Sequence, residues 1–212
     1  MQKKENISMS VIRRLPRYYR FLSELEKNDV TRISSKELSE KMGLTASQIR
    51  QDFNCFGGFG QQGYGYNVPQ LCVEIGKILG LQNKFKCVLI GAGNLGRAIM
   101  GHMPFEQLGF QLIGAFDNSP KVIGTVISGC QISDYRKIRE FYKKESPTMA
   151  ILCVPRDAVE EISDELYEIG IRSFWNFSHY DISLKYPDAI VENVHMNDSM
   201  MTLCYKLYTL SE

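Results

Sequence analysis

The chain has 212 residues, room for one large domain or two small ones. Apolar residues make up 44% and charged residues 23%, a globular balance that argues against a disordered chain, and no apolar run reaches the ~18–20 residues that span a bilayer. The net charge of +1 averages two unlike halves: residues 1–80 carry 12 basic and 8 acidic side chains, residues 81–212 carry 13 and 16, so the front is the candidate nucleic-acid-binding end.

The start lacks the apolar stretch of a signal peptide. The six cysteines form no Cys-x-x-Cys pair, and His102, His179 and His195 are scattered, so the spacing offers no metal site. Reduced thiols in a cytoplasmic protein without a metal are the expectation.

In chain order, Tyr18, Phe21, Leu22 and Leu25 fall at i, i+3, i+4 and i+7, one face of a helix that Pro16 opens. Ser34 with Glu37 has the spacing of a capping box, Leu38 and Met42 give that second helix its apolar face, and Gly43 stops it. Thr45 with Gln48 repeats the spacing, and Ile49 and Phe53 face inward on a third helix. Two short helices joined by a tight turn containing Gly predict a helix-turn-helix. Turning Ile49 and Phe53 inward leaves Ser47, Gln48, Arg50 and Gln51 outward near the start of the third helix. Arg there is suited to the O6/N7 edge of guanine and Gln to N6/N7 of adenine. Arg13, Arg14, Arg17 and Arg20 on the first helix are placed to meet phosphates. The competing reading is a solvated arginine face on a helix-turn-helix that serves dimerisation.

Residues 56–66 hold five glycines and four aromatics among eleven positions, which suits a β-hairpin wing better than a flexible linker. Val68, Leu71, Cys72, Ile75, Ile78 and Leu79 then mark a helix from Pro69 to Gly80. Residues 1–80 read as a winged helix.

Beyond residue 80 the pattern becomes strand–helix alternation. Apolar runs at Cys87–Ile90, Leu112–Phe116, Ala150–Val154 and, more weakly, Ile171–Phe177 alternate with helical patterns at Leu95–Met103, Asp134–Lys144 and Arg156–Ile169. Ile190–Val194 adds a last strand, and Met196–Leu210 a final apolar helix in want of a partner surface. The fold class is α/β: a winged helix-turn-helix, a Rossmann-like parallel-sheet domain over 81–194, and a C-terminal dimerisation helix over 195–212.

Gly91-Ala92-Gly93-Asn94-Leu95-Gly96 is a Gly-x-Gly-x-x-Gly segment that follows a predicted strand and opens a predicted helix. The helix N-terminus offers N–H groups to a pyrophosphate, and Asp117, 21 residues past Gly96, is placed for the ribose hydroxyls, favouring NAD(H) over NADP(H). A dehydrogenase needs a substrate-holding region and a proton-transfer residue. Only 95 residues follow Asp117, and no Tyr-x-x-x-Lys pair is present. The dinucleotide is therefore expected as a signal, not a co-substrate, and the protein not to be an enzyme. A small NAD-dependent oxidoreductase with a DNA-binding appendage is the alternative, and a sensor of another adenine ligand such as coenzyme A is a third reading.

With these parts in this order the chain resembles Rex, the family of bacterial redox-sensing transcriptional repressors. The resemblance is carried by Arg14-Leu15-Pro16 with Tyr18-Tyr19-Arg20, Ser34-Ser35 with Glu37-Leu38, and Gln48-Ile49-Arg50-Gln51-Asp52-Phe53. It continues in Phe56-Gly57 through Gly63-Tyr64-Gly65-Tyr66-Asn67-Val68, in residues 90–96, and in Ala115-Phe116-Asp117, Val154-Pro155 and Trp175-Asn176-Phe177. It implies a homodimer whose C-terminal helices insert between the partner's two domains, and repression of fermentation and NADH-reoxidation genes at palindromic operators. It implies that NADH releases the protein from DNA and NAD+ competes for the same pocket. It further implies Val154, Pro155, Asn176 and Phe177 as cofactor contacts, Gln62 and Tyr64 as wing contacts to DNA, and Arg20, His102, His195 and Asp198 as switch residues. The chain departs from the family pattern at four of its positions. Gln51 and Gln62 stand where basic residues are usual, His102 where a Tyr is expected beside the nicotinamide, and His195 where an Asp is expected to pair with Arg20. A neutral His forms no such ion pair, although Asp198 lies one turn on.

Overall fold

In the computed structural model, which describes residues 7–57, 59–61 and 64–210, the chain divides into two units, Met1–Gln82 and Asn83–Glu212. The first runs α1 (Met9–Ile12), α2 (Leu15–Lys27), β1 (Arg32–Ile33), α3 (Ser35–Met42), α4 (Ala46–Asn54), β2 (Gly60–Gln61), β3 (Gly65–Asn67) and α5 (Val68–Leu79). Its strands form an antiparallel sheet in the order β1-β3-β2, with β2 and β3 as the wing hairpin. Gly65 sits at φ +70°, and a Cβ there would lie 2.7 Å from the Ile33 carbonyl oxygen, so only glycine lets β3 cross β1.

Leu15, Tyr18, Leu22, Leu38, Ile49, Phe53, Leu71 and Ile75 fill the core of this unit. Phe21, expected on the buried face of α2, is only half-buried; Leu15 takes the core position and Phe21 lies under the Lys41 ammonium, 5.9 Å from its ring centre. The capping box at α3 is complete: the Ser34 hydroxyl accepts from the Glu37 N–H at 3.1 Å, and the Glu37 carboxylate accepts from the Ser34 N–H at 2.8 Å. Ser34→Ala is expected to cost ~1 kcal/mol in urea unfolding, with no change in slope. The second capping box is only half formed. Thr45 accepts from the Gln48 N–H, but the Gln48 side chain turns to Asp52 instead of returning to the helix start.

The second unit runs β4 (Phe85–Ile90), α6 (Asn94–His102), β5 (Phe110–Asp117), β6 (Val126–Ile127), β7 (Cys130–Asp134), α7 (Ile138–Glu145), β8 (Met149–Leu152), α8 (Arg156–Ile169), β9 (Ser173–Asn176), α9 (Ile182–Lys185), β10 (Ile190–Asn193) and α10 (Met196–Leu210). The sheet order is β10-β9-β8-β4-β5-β7-β6, parallel except for β6 at one edge. Val88 and Ile90 pack into one layer of core and Cys87 and Leu89 into the other, which is why β4 reads as a continuous apolar run. Strands β6 and β7 were not expected; the helix expected from Asp134 opens as a 3-10 turn over Tyr135–Lys137, capped by the Asp134 side chain, and is α-helical from Ile138. Only Ile132 of β7 is fully buried, so the segment shows no apolar run; pairing with β5 makes it a strand. Every described side chain of α10 is exposed, including Met200, Leu203 and Leu210. Among the described residues no helix is long and apolar enough to cross a membrane.

Candidate functional site

In the second unit the chain leaves β4 in one direction across the sheet and β8 in the other, which opens a crevice at the carboxyl ends of these two neighbours. The glycine turn lies there. Gly91 adopts φ +94°, and a Cβ on it would fall 2.6 Å from the Cys153 carbonyl oxygen; one on Gly96 would fall 2.0 Å from the carbonyl oxygen of Gly91. Beyond its chain neighbours, nothing of the protein lies within 4 Å of a Cβ built on Gly93. The first and third glycines are therefore demanded by the fold, and the middle one keeps open a space that a side chain would fill. That space faces the start of α6, which has no side-chain cap, so the positive end of the helix is available to an anion. Ala92 is buried, Leu95 half-buried and Asn94 exposed.

Asp117 closes the opposite wall. Its Oδ2 accepts from the Ala92 N–H at 2.7 Å and its Oδ1 from the Ser119 N–H at 2.8 Å. Each carboxylate oxygen retains acceptor capacity for a ribose hydroxyl. The residues present thus fit the phosphates and adenosine ribose of a dinucleotide. Among the described residues no group of three His, Cys, Asp or Glu is placed to hold a metal ion.

Val154 and Pro155 follow β8 at the crevice; a Cβ on Gly91 would come within 2.9 Å of Val154 Cγ1, and Pro155 caps α8. Phe177 is half-buried and edge-on to Trp175, ring centres 4.6 Å apart. The side chain of Asn176, which the family resemblance implies as a cofactor contact, is committed inside the protein. It is fully buried, donates to the Tyr180 carbonyl (2.7 Å) and Asn193 Oδ1 (2.8 Å), and accepts from the N–H and hydroxyl of Ser178. With both donors and both acceptor positions used, its side chain ties β9 to β10. His102 ends α6, exposed. His195 stacks on His179, ring centres 5.5 Å apart and planes 10° from parallel, a pairing that nothing in the spacing announces. Asp198 lies exposed in the first turn of α10, its N–H donating to the His195 carbonyl at 3.2 Å.

In the first unit, α3 and α4 form the helix-turn-helix, with Gly43 in the left-handed region at the turn. Ser47, Arg50 and Gln51 are exposed on α4, and Arg50 Nη1 donates to the Ser35 hydroxyl at 3.1 Å. Tyr64 is exposed on the wing with the Arg32 guanidinium 5.9 Å above its ring. Gln62 lies outside the described residues. Arg17 donates to the Met42 carbonyl at the end of α3, and with Arg20, Phe21, Glu24 and Lys41 it lines a shallow pocket.

Two of the expected DNA contacts, Arg14 and Gln48, meet at one buried carboxylate. Asp52, only 1% exposed, was not singled out from the sequence. Its carboxylate takes both arms of Arg14 at 2.7 Å, the Tyr18 hydroxyl at 2.8 Å and Gln48 Nε2 at 2.8 Å. Arg14 is thus an internal clamp between α2 and α4, not a free phosphate contact, and Gln48 is half-buried and held from below. Burial pushes the Asp52 carboxyl up, but the bonds from Arg14, Tyr18 and Gln48 outweigh it and hold it below the usual carboxylate range. The same bond raises Arg14, and burial, then Asp52, raises Tyr18. The i, i+4 spacing of Gln48 and Asp52 was the signal available in the sequence.

Two family models match the chain: "Putative DNA-binding protein N-terminus" over residues 6–54 and "CoA binding domain" over residues 82–180. The redox-sensing transcriptional repressor Rex of Clostridium perfringens (strain SM101 / Type A) is 53% identical over 207 residues, 98% of this chain and 97% of its own. That of Caldanaerobacter subterraneus subsp. tengcongensis is 54% identical over 98% of this chain and 92% of its own. Among solved structures, RSP in complex with β-NAD+ and operator DNA matches with a TM-score of 0.89 at 50% identity, covering 98% of this chain and 95% of its own. RSP in complex with β-NADH matches with a TM-score of 0.89 at 47% identity, covering 98% and 97%. RSP is described as a Rex-family repressor.

Proposed function

The chain belongs to the Rex family of redox-sensing transcriptional repressors, and from that premise we propose that its first unit grips an operator while its second reads NADH against NAD+. The observation that carries the reading is the likeness, over 98% of the chain, to a repressor crystallised with operator DNA and NAD+ and again with NADH. The site in this chain supports it: the space over Gly93 and the uncapped start of α6 receive the pyrophosphate, and Asp117 the adenosine ribose. The bound dinucleotide supplies the redox-dependent charge of its nicotinamide ring. Phe177, His102 and the backbone after β8 then act at that end, where the two oxidation states differ. On the DNA side Ser47, Arg50 and Gln51 face the duplex from α4, with Tyr64 on the wing and Arg17 at the phosphates. The protein works as a homodimer on a palindromic site, joined through the exposed apolar face of α10, and turns over no substrate.

An operator duplex bound by the protein is released as NADH is titrated, followed by fluorescence anisotropy, and NAD+ opposes the release; no response to either nucleotide overturns the reading. The match to the CoA binding domain model makes coenzyme A the competing ligand, so the same titration carries a coenzyme A arm. NADH consumption with small aldehydes and ketones is the arm that would reveal an oxidoreductase. Asp117→Ala is expected to weaken NADH ~10–100-fold, the loss of a hydrogen bond to a charged group. Undiminished affinity would remove Asp117 from the site.

A further inference from the structure

Gln48 is the third residue of α4, in the turn of a recognition helix that reaches base edges. A free Gln amide is a fork with a donor on one side and an acceptor on the other, and it can flip. This one cannot. Asp52 lies one turn on, ionised and therefore acceptor-only, so it accepts Nε2 and repels Oε1; the 2.8 Å contact fixes which side faces down. Asp52 is itself immobile, because Oδ2 takes Arg14 Nε and the Tyr18 hydroxyl while Oδ1 takes Arg14 Nη2 and Gln48. Two bonds to each oxygen exhaust its lone-pair sites.

We infer that Asp52 is a positioning residue that sets base specificity through Gln48 without touching DNA; the inference rests on the operator-binding reading above. The held amide turns its carbonyl and one remaining N–H toward the groove. Adenine offers an N6–H donor and an N7 acceptor to that edge, whereas guanine offers two acceptors, one of which would meet the Gln48 carbonyl. The ordering of the side chain is settled on folding and not on binding, so the discrimination is not diluted by rotamer entropy.

The test uses the full-length protein and a duplex selected by it from a random-sequence pool, with each base pair then substituted in turn and an unrelated duplex as reference. Anisotropy titrations compare the wild type with Gln48→Ala, Asp52→Asn and the double variant. Asparagine keeps the size of Asp52 but accepts either face of the Gln48 amide. In the wild type one A·T pair per half-site is expected to discriminate against G·C by ~10-fold or more. Gln48→Ala abolishes that preference. Asp52→Asn lowers it severalfold, leaves affinity for the unrelated duplex and its salt dependence unchanged, and has no further effect in the Gln48→Ala background. An equal loss on all duplexes, or an effect of Asp52→Asn that persists without Gln48, overturns the inference. If Asp52→Asn fails to fold, Tyr18→Phe, which removes one of the four bonds and leaves the ion pair, takes its place; it is expected to lower the same preference partly, and an unchanged preference overturns the inference. Failure of the wild type to select any duplex would instead overturn the operator-binding reading.

Discussion

A Gly96→Ala protein is expected to lose both NADH binding and much of the stability of its second unit, whereas Gly93→Ala is expected to lose the ligand alone. The added methyl at Gly96 would lie 2.0 Å from the Gly91 carbonyl oxygen and 3.1 Å from its carbon, and neither backbone atom can yield without unmaking the turn. Overpacking of this kind costs ~1–3 kcal/mol and sometimes more. Gly91→Ala adds backbone strain at φ +94° to its own clash with Cys153. At Gly93 the backbone has φ −71° and no atom beyond its chain neighbours lies within 4 Å of the added methyl, so the change in stability is expected within ~0.5 kcal/mol. The methyl nonetheless projects into the space assigned to the pyrophosphate, so NADH is expected to weaken by roughly 5–150-fold, the same overpacking cost met by the ligand. Thermal melts and NADH fluorescence titrations on the three variants separate the two effects. Full affinity in Gly93→Ala would mean that the ligand lies elsewhere.

Removing Arg14 should have the largest effect on the first unit. Arg14→Ala leaves the buried Asp52 carboxylate with hydroxyl and amide donors but no counter-charge, a loss of ~3–5 kcal/mol. Against the ~5–15 kcal/mol that holds a domain together, this is enough to unfold part of the population on warming. The pH dependence identifies the cause. In the wild type the Asp52 carboxyl is held below its ordinary value, so its contribution is complete above the unfolded pKa of ~3.9 and is lost only as pH falls through the depressed folded value. In Arg14→Ala burial acts with its strongest opponent gone and the carboxyl rises, so the variant is penalised at neutral pH and relieved on acidification. The gap between wild type and variant in urea unfolding is therefore expected to narrow from pH 7 towards pH 4. A gap that stays constant would assign the loss to packing.

How much of this was legible depended on how local the cause was. Helix α8 runs over Arg156–Ile169 and α10 over Met196–Leu210 as the pattern predicts, because side-chain periodicity and, for α8, Pro155 and Gly170 at its ends are encoded within a few residues. The glycine turn was legible for the same reason: Gly91, Gly93 and Gly96 act on one another and on β4. Strand β7 was not, since Cys130-Gln131-Ile132-Ser133-Asp134 owes its conformation to Ala115, Phe116 and Asp117 on β5. The internal bonds of Arg14 and Asn176 were not legible for a related reason. A helical wheel or a strand end says that a polar side chain can face outward; it does not say that Asp52, 38 residues from Arg14, or Tyr180 and Asn193 beside Asn176, will draw it in. Polar groups choose partners across the fold, whereas apolar periodicity needs only the element itself.

The bond from the Ala92 N–H to Asp117 joins the two walls of the adenosine end before any ligand arrives. NADH and NAD+ carry the same adenosine and the same pyrophosphate, so a ready-made grip on that half holds both forms without choosing between them. A ligand that binds two conformations equally shifts nothing, however tightly it binds. On the proposed function, in a cell where both forms are always present, such a handle keeps the pocket filled, and what varies is which form fills it. The protein then behaves as a balance and not as a gauge: a rise in the total nucleotide pool leaves its setting alone, and only an exchange of one form for the other moves it.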